Sequence, residues 1–281
     1  MKIKSLLAIL TICTWVLTAC QGALLEPTAT PVPTNTLVPT ATPVPTNTLA
    51  PTADLSGVRV TFVGNSGFLI TVGDQKVLID ALFEGFPRFN DVDLILATHN
   101  HPDHFSDTLV RRYMRNNPKA IFISTKQAAS QVAGFGDRVI VVDPVAGSPV
   151  NVEANGIGVE AIYLNHGYPP NDPSEVFNNG YVVTIGPVKF FHTGDIDDLQ
   201  DARQYNLAEQ NIDLAFIQHF FLLDDNARSL IDEVVGAKHL FPIHYKFTTP
   251  PFDADKIKNY FPDAIIFSAE LESWSSSLPA K

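Results

Sequence analysis

The sequence predicts an α/β domain of two β-sheets covered by helices, spanning residues 55–272 of the 281-residue chain. The first observation behind this prediction is a series of short apolar runs separated by Gly-Asn and Gly-Asp turns, a pattern typical of antiparallel strands. The second is the alternation of strand-like and helix-like patterns late in each half, which is typical of sheets flanked by helices. A domain of about 220 residues can bury a large apolar core.

The predicted elements follow this scheme in both halves. The first half is expected to contain strands 58–63, 68–72, 76–80 and 93–98, helix 106–114, strand 120–124, helix 126–132 and strand 138–142. Ser106 is a suitable N-cap for the first helix, which must end before Pro118. The second half is expected to contain strands 158–164, 181–185 and 188–191, helix 199–210, strand 213–217, helix 227–235, strand 239–241, helix 253–260 and strand 264–267. Residues 273–281 are expected to be a polar tail.

Residues 1–19 have the pattern of a secretory signal peptide, with Lys2 and Lys4 before a compact apolar run. This run is shorter than the roughly 20 residues that a membrane-spanning helix needs. The Leu-Thr-Ala sequence before Cys20 resembles the lipobox of bacterial lipoproteins. That resemblance implies lipidation of Cys20 and an extracytoplasmic protein anchored to the cell membrane, with a plain cleaved signal as the alternative.

Residues 20–54 are predicted to be a linker rather than part of the domain. Its Pro/Thr-rich segment 27–38 is repeated almost identically as 39–50. Such a segment offers too little apolar surface to fold and favours extended polyproline II structure. We therefore expect a spacer that holds the domain away from a membrane.

The charge balance argues against nucleic acid as a partner. The chain has 19 basic and 30 acidic residues, a formal charge of −11, and no Lys/Arg run. An acidic domain without a basic patch repels a phosphate backbone. The chain has two cysteines, and Cys13 lies in the predicted signal, so the exported domain must fold without disulfides.

A histidine cluster follows the predicted strand 93–98. His99, His101, Asp103 and His104 fall within six residues of a chain that has eight histidines. Imidazole and carboxylate groups are ligands that zinc and similar divalent metals prefer. His99 and His101 project from one face of an extended segment, and the next two side chains can reach a second point nearby. The segment therefore predicts ligands for two adjacent metal ions.

Three more polar residues follow buried strands at their predicted ends. His166 precedes a glycine, Asp195 follows Thr-Gly, and His244 follows Phe-Pro-Ile. Each is a weak signal alone, since a histidine in such a place is often a capping or core residue. Together they are significant, because functional side chains collect in the loops at strand ends.

The His-x-His-x-Asp-His segment with these three later residues resembles the metallo-β-lactamase fold superfamily. The segments 62–70 and 77–80 resemble more closely its ascorbate-6-phosphate lactonase-like branch. The resemblance implies a four-layer αβ/βα sandwich of two mixed sheets flanked by helices, with a dinuclear metal centre. It assigns His99, His101 and His166 to the first metal, Asp103, His104 and His244 to the second, and Asp195 to a bridging position.

The implied activity is hydrolysis of a small ester, lactone, amide or phosphoester by a metal-activated hydroxide, with Asp103 as a catalytic residue. Zinc is the expected metal, and manganese or iron are alternatives. A β-lactamase and a phospholipid or phosphocholine esterase are alternative activities. The domain has no cysteine, which excludes a site with a cysteine ligand. A non-catalytic surface binding protein that keeps the metals for structure is an alternative of another class.

Four further residues are candidates for supporting roles. Asp80 is expected either to orient a ligand histidine or to be a solvent-facing turn carboxylate, and His192 to support the site or pack beside it. His219 lies where the lactonase-like branch has a small, glycine-containing loop, so we expect either contact with substrate, including leaving-group protonation, or an ordinary loop histidine. Tyr245 and Tyr168 are candidates for the rim of the site.

Overall fold

A computed structural model of the protein describes residues 55, 57–82, 89–167, 176–223, 225–245 and 253–276. The predicted signal peptide, Cys20 and the whole predicted linker lie outside these described residues. Within them, no helix combines the length and the apolar character that crossing a membrane requires.

The first β-sheet contains seven strands in the order β13-β1-β2-β3-β4-β5-β6. Their bounds are β1 Val58–Gly64, β2 Gly67–Val72, β3 Gln75–Ile79, β4 Leu94–Ala97, β5 Ile121–Ser124, β6 Val139–Val141 and β13 Ser273–Ser275. The pairs from β13 to β3 are antiparallel and the pairs from β3 to β6 are parallel, so the sheet is mixed.

The second β-sheet contains six strands in the order β12-β11-β10-β9-β8-β7. Their bounds are β7 Val150–Ala154, β8 Ile157–Tyr163, β9 Asn179–Ile185, β10 Val188–His192, β11 Leu214–Gln218 and β12 His239–Ile243. The strands β10 to β12 are parallel and the other pairs are antiparallel.

The two sheets share a central apolar core, and helices cover their outer faces. Phe68 of the first sheet and Phe216 of the second pack with ring centroids 4.6 Å apart. The first sheet is covered by α1 Asp107–Asn116 and α2 Lys126–Ala129. The second is covered by α3 Asp225–Val234, α4 Ala254–Tyr260 and the 3₁₀ segments Leu199–Tyr205, Leu207–Gln210 and His219–Leu222. The predicted four-layer sandwich of two mixed sheets is confirmed.

Two predicted elements of the second half differ from the structure. The segment 199–210 is not one helix but two 3₁₀ segments, because Asn206 between them has a left-handed backbone with φ of 50°. The segment 264–267 is not assigned as a strand. Its apolar side chains Ala264 and Phe267 are instead buried in the cores on the two sides of the second sheet.

The predicted polar tail at 273–281 is also wrong at its start. Ser273–Ser275 forms β13, which pairs with β1 at the edge of the first sheet, and Trp274 packs against the central core. The domain therefore extends beyond residue 272. A single tryptophan between serines gave no strand pattern long enough to predict this edge strand.

Candidate metal centre

The seven predicted metal ligands lie together at the ends of strands from both sheets. The loop after β4 carries four of them, and the loops after β8, β10 and β12 carry one each. They form two groups, and within each group the potential ligand atoms lie within 4.8 Å of one another. The first cluster is His99, His101 and His166, and the second cluster is Asp103, His104, Asp195 and His244.

The first cluster consists of imidazoles whose nitrogens converge. His166 Nε2 lies 3.2 Å from His101 Nδ1. His99 is fully buried, and its Nε2 has no hydrogen-bond partner among the described residues. The His99 ring lies 4.7 Å from that of His101 and 5.0 Å from that of His166, centroid to centroid. Converging nitrogens with an unpartnered buried atom are a donor set that fits a metal ion.

The second cluster combines two carboxylates with two imidazoles. His244 Nε2 lies 3.5 Å from Asp103 Oδ2 and 3.1 Å from Asp195 Oδ2. His104 Nε2 is buried and lies 3.1 Å from Asp195 Oδ1, although the angles do not make a hydrogen bond. Nitrogen and carboxylate oxygen atoms are thus directed at one point.

The carboxylate of Asp195 lies between the two clusters. Its Oδ2 atom is 3.8 Å from His99 Nε2 and 4.0 Å from His166 Nε2, and both of its oxygens also contact histidines of the second cluster. The residue is 5% exposed. This is the place that a carboxylate shared by two metal ions would occupy.

Two histidines of the first cluster and the two histidines of the second cluster have opposite pKa shifts. Burial lowers the pKa of both His99 and His166 in the first cluster. In the second cluster burial also lowers the pKa of His104, but Asp80 and Asp195 outweigh it and raise that pKa to about 10. Hydrogen bonds to Asp103 and Asp195 raise the pKa of His244 to about 9.

The carboxyl groups of the second cluster shift in the complementary direction. His244 holds the pKa of Asp103 well below its usual range. Burial would raise the pKa of Asp195, but His104 and His244 reverse that effect and hold it well below the usual range. Both carboxylates are therefore ionised at neutral pH and can act as metal ligands. The donor atoms of the two clusters fit a pair of divalent cations.

Asp80 orients His104, a candidate ligand, from the end of β3. Its Oδ2 lies 2.8 Å from His104 Nδ1, and Thr98 donates to the same carboxylate through its backbone N–H and its hydroxyl, both at 2.8 Å. Asp80 is 1% exposed, so the alternative of a solvent-facing turn carboxylate is wrong. Such a partner on the far nitrogen fixes the orientation of a ligand imidazole.

The backbone is strained at two of these positions. Asp80 and His244 have φ of 45° and 63°, in the left-handed region that non-glycine residues rarely adopt. Such residues cost about 1–3 kcal/mol each and occur often at functional sites. Gly194 has φ of 58°, and a Cβ there would lie 2.1 Å from Asn178 Oδ1, so the turn before Asp195 requires glycine.

His192 packs beside the site and belongs to neither cluster. It is fully buried, with Nε2 donating to Ser66 O at 2.9 Å and Nδ1 accepting from Gly194 N at 3.0 Å. Its ring stacks on Phe216 with centroids 5.7 Å apart. These contacts fix the turn that carries Asp195.

Tyr245 is buried, and its predicted place at the rim is wrong. It is 3% exposed, its hydroxyl donates to Phe267 O at 3.3 Å, and its ring stacks on Phe62 with centroids 5.4 Å apart. The aromatic core between the sheets therefore takes up this side chain. Tyr168, the other rim candidate, lies outside the described residues.

His219 is half-buried and opens the 3₁₀ segment after β11. Its Nδ1 lies 3.3 Å from Ile243 O, in the residue before His244. Burial lowers its pKa. It lies next to a strand that carries a ligand but in neither cluster, and its predicted contact with substrate stays a prediction.

Two buried amides that hold Asp195 were not predicted. Gln218 Nε2 donates to Asp195 Oδ1 at 3.3 Å while its Oε1 accepts from Ile196 N at 2.9 Å. Asn178 Oδ1 accepts from Asp195 N at 3.1 Å, and its Nδ2 donates to Thr193 O at 3.1 Å. For Gln218 the sequence offers one signal, because it is a polar residue directly after the predicted apolar strand 213–217.

Comparison with known proteins places this site in a family. A model of the Beta-lactamase superfamily domain matches residues 59–244. A UPF0173 metal-dependent hydrolase of Pyrococcus furiosus is 30% identical over 216 residues, which cover 70% of this chain and 88% of the relative. A UPF0173 metal-dependent hydrolase of Thermus thermophilus is 27% identical over 207 residues, with the same two coverages of 70% and 88%.

Solved structures show the same fold at lower sequence identity. Igni18, a metallo hydrolase from Ignicoccus hospitalis, has a TM-score of 0.58 and 19% identity, and the match covers 79% of this chain and 99% of that one. CmlA, a diiron β-hydroxylase from Streptomyces venezuelae, has a TM-score of 0.56 and 15% identity over 78% of this chain and 54% of that one. These likenesses agree with the observed four-layer arrangement.

Proposed function

The chain belongs to the beta-lactamase superfamily and, within it, to the UPF0173 metal-dependent hydrolases, and on this premise we propose that it cleaves a small ester, lactone, amide or phosphoester at a dinuclear centre. The observation that carries the proposal is Asp195, whose carboxylate contacts histidines of both clusters. His99, His101 and His166 would hold one cation, Asp103, His104 and His244 the other, and Asp195 both. Bound divalent cations would lower the pKa of water and polarise a carbonyl or phosphoryl oxygen.

Asp103 is the side chain that we assign to the attacking water. Its side chain is 37% exposed, against 6% for that of Asp195, so water and substrate can reach it. Because the pKa of Asp103 is held well below its usual range, the carboxylate is ionised at neutral pH and accepts a hydrogen bond from water. A carboxylate so placed orients the nucleophile and takes part in proton transfer.

We propose zinc as the metal, with manganese or iron as alternatives, because histidine and carboxylate ligands accommodate all three. The lactonase-like sequence at 62–70 favours a lactone or related ester as substrate. A β-lactam and a phospholipid or phosphocholine ester are the alternatives that a substrate panel has to include.

We also propose that the enzyme acts outside the cytoplasmic membrane, on a tether. Support comes from the sequence alone: the lipobox-like segment before Cys20 and the Pro/Thr-rich linker. Replacing Cys20 by serine should move the protein from the membrane fraction to the soluble fraction of cells. Unchanged membrane retention of this variant would contradict lipidation.

The proposed activity is tested by measuring metal content and hydrolysis together. The purified chain should bind about two divalent ions and hydrolyse at least one class in a panel of lactones, carboxylic esters, phosphodiesters and β-lactams. Absence of bound metal after replenishment would exclude the dinuclear centre. Two bound metals without turnover of any substrate would favour a structural role for the ions.

A further inference from the structure

Phe220 is a bulky apolar side chain held beside the second cluster. It is 43% exposed, and its ring lies edge-on to that of His244 with centroids 6.3 Å apart. His244 itself is 30% exposed at its side chain, and Asp103 37%. Single exposed apolar residues are common on protein surfaces. Phe220 differs from such residues because its ring lies against His244, an accessible member of the proposed metal centre.

The backbone around Phe220 is fixed from both sides. Gln218, two residues before Phe220, is buried and hydrogen-bonded to Asp195 and to Ile196 N. Leu222 is fully buried. The ring of Phe221 is tilted by 48° against that of Phe220, with centroids 4.8 Å apart, and packs against the core. These contacts place the backbone of Phe220 next to the centre.

We propose that Phe220 is the apolar wall of the substrate site and that the substrate is an ester, lactone or amide with an apolar group next to the cleaved bond. This inference rests on the proposed hydrolytic function and specifies its substrate class. A polar or charged group in that place would lie against the exposed aromatic ring of Phe220. Contact between Phe220 and an alkyl or aryl group removes apolar surface from water and so favours binding.

The test compares the zinc-loaded full chain with Phe220→Ala, Phe220→Leu and the control Val145→Ala. Val145 is an exposed apolar residue in a loop that carries no proposed ligand. With p-nitrophenyl acetate and octanoate as probes, Phe220→Ala should lower the octanoate-to-acetate ratio of kcat/KM about tenfold, mainly through KM. Phe220→Leu should keep most of the preference, and Val145→Ala should keep all of it.

A second readout does not depend on turnover. Calorimetric titration of the zinc-loaded proteins with acetate and octanoate should show tighter binding of octanoate to the wild type, reduced about tenfold by Phe220→Ala. Equal binding of the two carboxylates, or a preference that Phe220→Ala leaves intact, would overturn the inference. So would faster hydrolysis of p-nitrophenyl phosphate than of the octanoate ester. If Phe220→Ala fails to fold, Phe220→Gln supplies a polar side chain of similar reach.

The two proposals fail in different ways. If no ester, lactone or amide is hydrolysed but the carboxylate titration shows the predicted preference, the hydrolytic function is wrong for these substrates and the apolar wall stands. If esters are hydrolysed with no dependence on chain length, the function stands and the role of Phe220 is wrong.

Discussion

The two clusters differ in composition and in how they respond to protons. The first cluster consists of imidazoles, and burial lowers the pKa of His99 and of His166. The second pairs histidines with ionised carboxylates, which raise the pKa of His104 to about 10 and that of His244 to about 9. In the metal-free domain the histidines and carboxylates of the second cluster are thus paired with each other. A cation can enter the first cluster without displacing protons from these two histidines, but must displace protons from the second.

The largest expected effect comes from removing the accessible carboxylate of the second cluster. Asp103→Ala should lower the rate of hydrolysis about 10²- to 10⁴-fold, because the water-orienting carboxylate is lost. The thermal midpoint of the metal-free protein should fall modestly, since the ion pair of Asp103 with His244 is lost while the core stays intact. Asp107→Ala, which removes an exposed carboxylate at the start of α1, should behave like the wild type. Retained activity in Asp103→Ala would refute the assigned role.

Asp80 provides a way to weaken one cluster and leave the other intact. Asp80→Asn removes the charge that orients His104, so the metal affinity of the second cluster should fall about 10- to 100-fold. The affinity of the first cluster should change much less, because Asp80 reaches it only indirectly: the Thr98 hydroxyl that donates to Asp80 lies 3.0 Å from His99 Nδ1. Asp213→Asn, a buried carboxylate paired with Lys238, is the matched control. Equal weakening of both clusters would contradict this comparison.

The pH dependence of metal binding follows from the raised pKa values. Below about pH 9 the metal-free protein holds protons on His104 and His244 that a cation must displace. The affinity of the second cluster should therefore fall about tenfold per pH unit for each displaced proton as the pH decreases from 9. The affinity of the first cluster should vary less between pH 7 and 9. Calorimetry in buffers of different ionisation enthalpy measures the protons released at each step.

The metal-free domain should show the corresponding change in stability. A raised pKa in the folded state stabilises the protein fully below the unfolded value of 6.5, and this contribution is lost as the pH rises through 9 to 10. The thermal midpoint of the metal-free protein should therefore decrease between pH 7 and 10. A metal-loaded sample should decrease less, because its histidines carry no such protons. Parallel curves for the two samples would contradict the proposed protonation of the second cluster.

The smallest expected effect concerns Gln218. Gln218→Met removes its hydrogen bond to Asp195 and leaves Ile196 N–H without its partner. The free energy of unfolding should fall by about 1–3 kcal/mol, and the metal affinity of the second cluster by roughly fivefold. Gln218→Glu keeps an acceptor for Ile196 but places a like charge beside Asp195, so it should weaken metal binding more than Gln218→Met does. The reverse order would indicate that Gln218 acts only through packing.

The arrangement of the seven clustered side chains could be predicted because each follows an apolar run. His166, Asp195 and His244 lie within three residues of strand ends, and strand order brings those loops together. What could not be predicted depends on pairs distant in sequence. The bond from Gln218 to Asp195 joins residues 23 positions apart, and Asn178 reaches the same turn from another strand.

The remaining differences arise where tertiary packing outweighs local sequence. Tyr245 resembles a rim residue because it follows a ligand, yet its ring lies in the aromatic core beside Phe62. Asn206 divides a region with a helical pattern because the chain adopts a left-handed turn there. The serines around Trp274 form an edge strand only because β1 offers an unpaired edge.

A zinc titration of the metal-free full chain tests the central claim most directly, with bound ions counted by native mass spectrometry and ester hydrolysis measured on the same samples. At pH 8 a first zinc should bind with little activity, and hydrolysis should rise with occupancy of a second. At pH 6 the second step should weaken much more than the first. Full activity with one bound zinc, or two steps that weaken equally at low pH, would contradict a centre built from two unlike clusters.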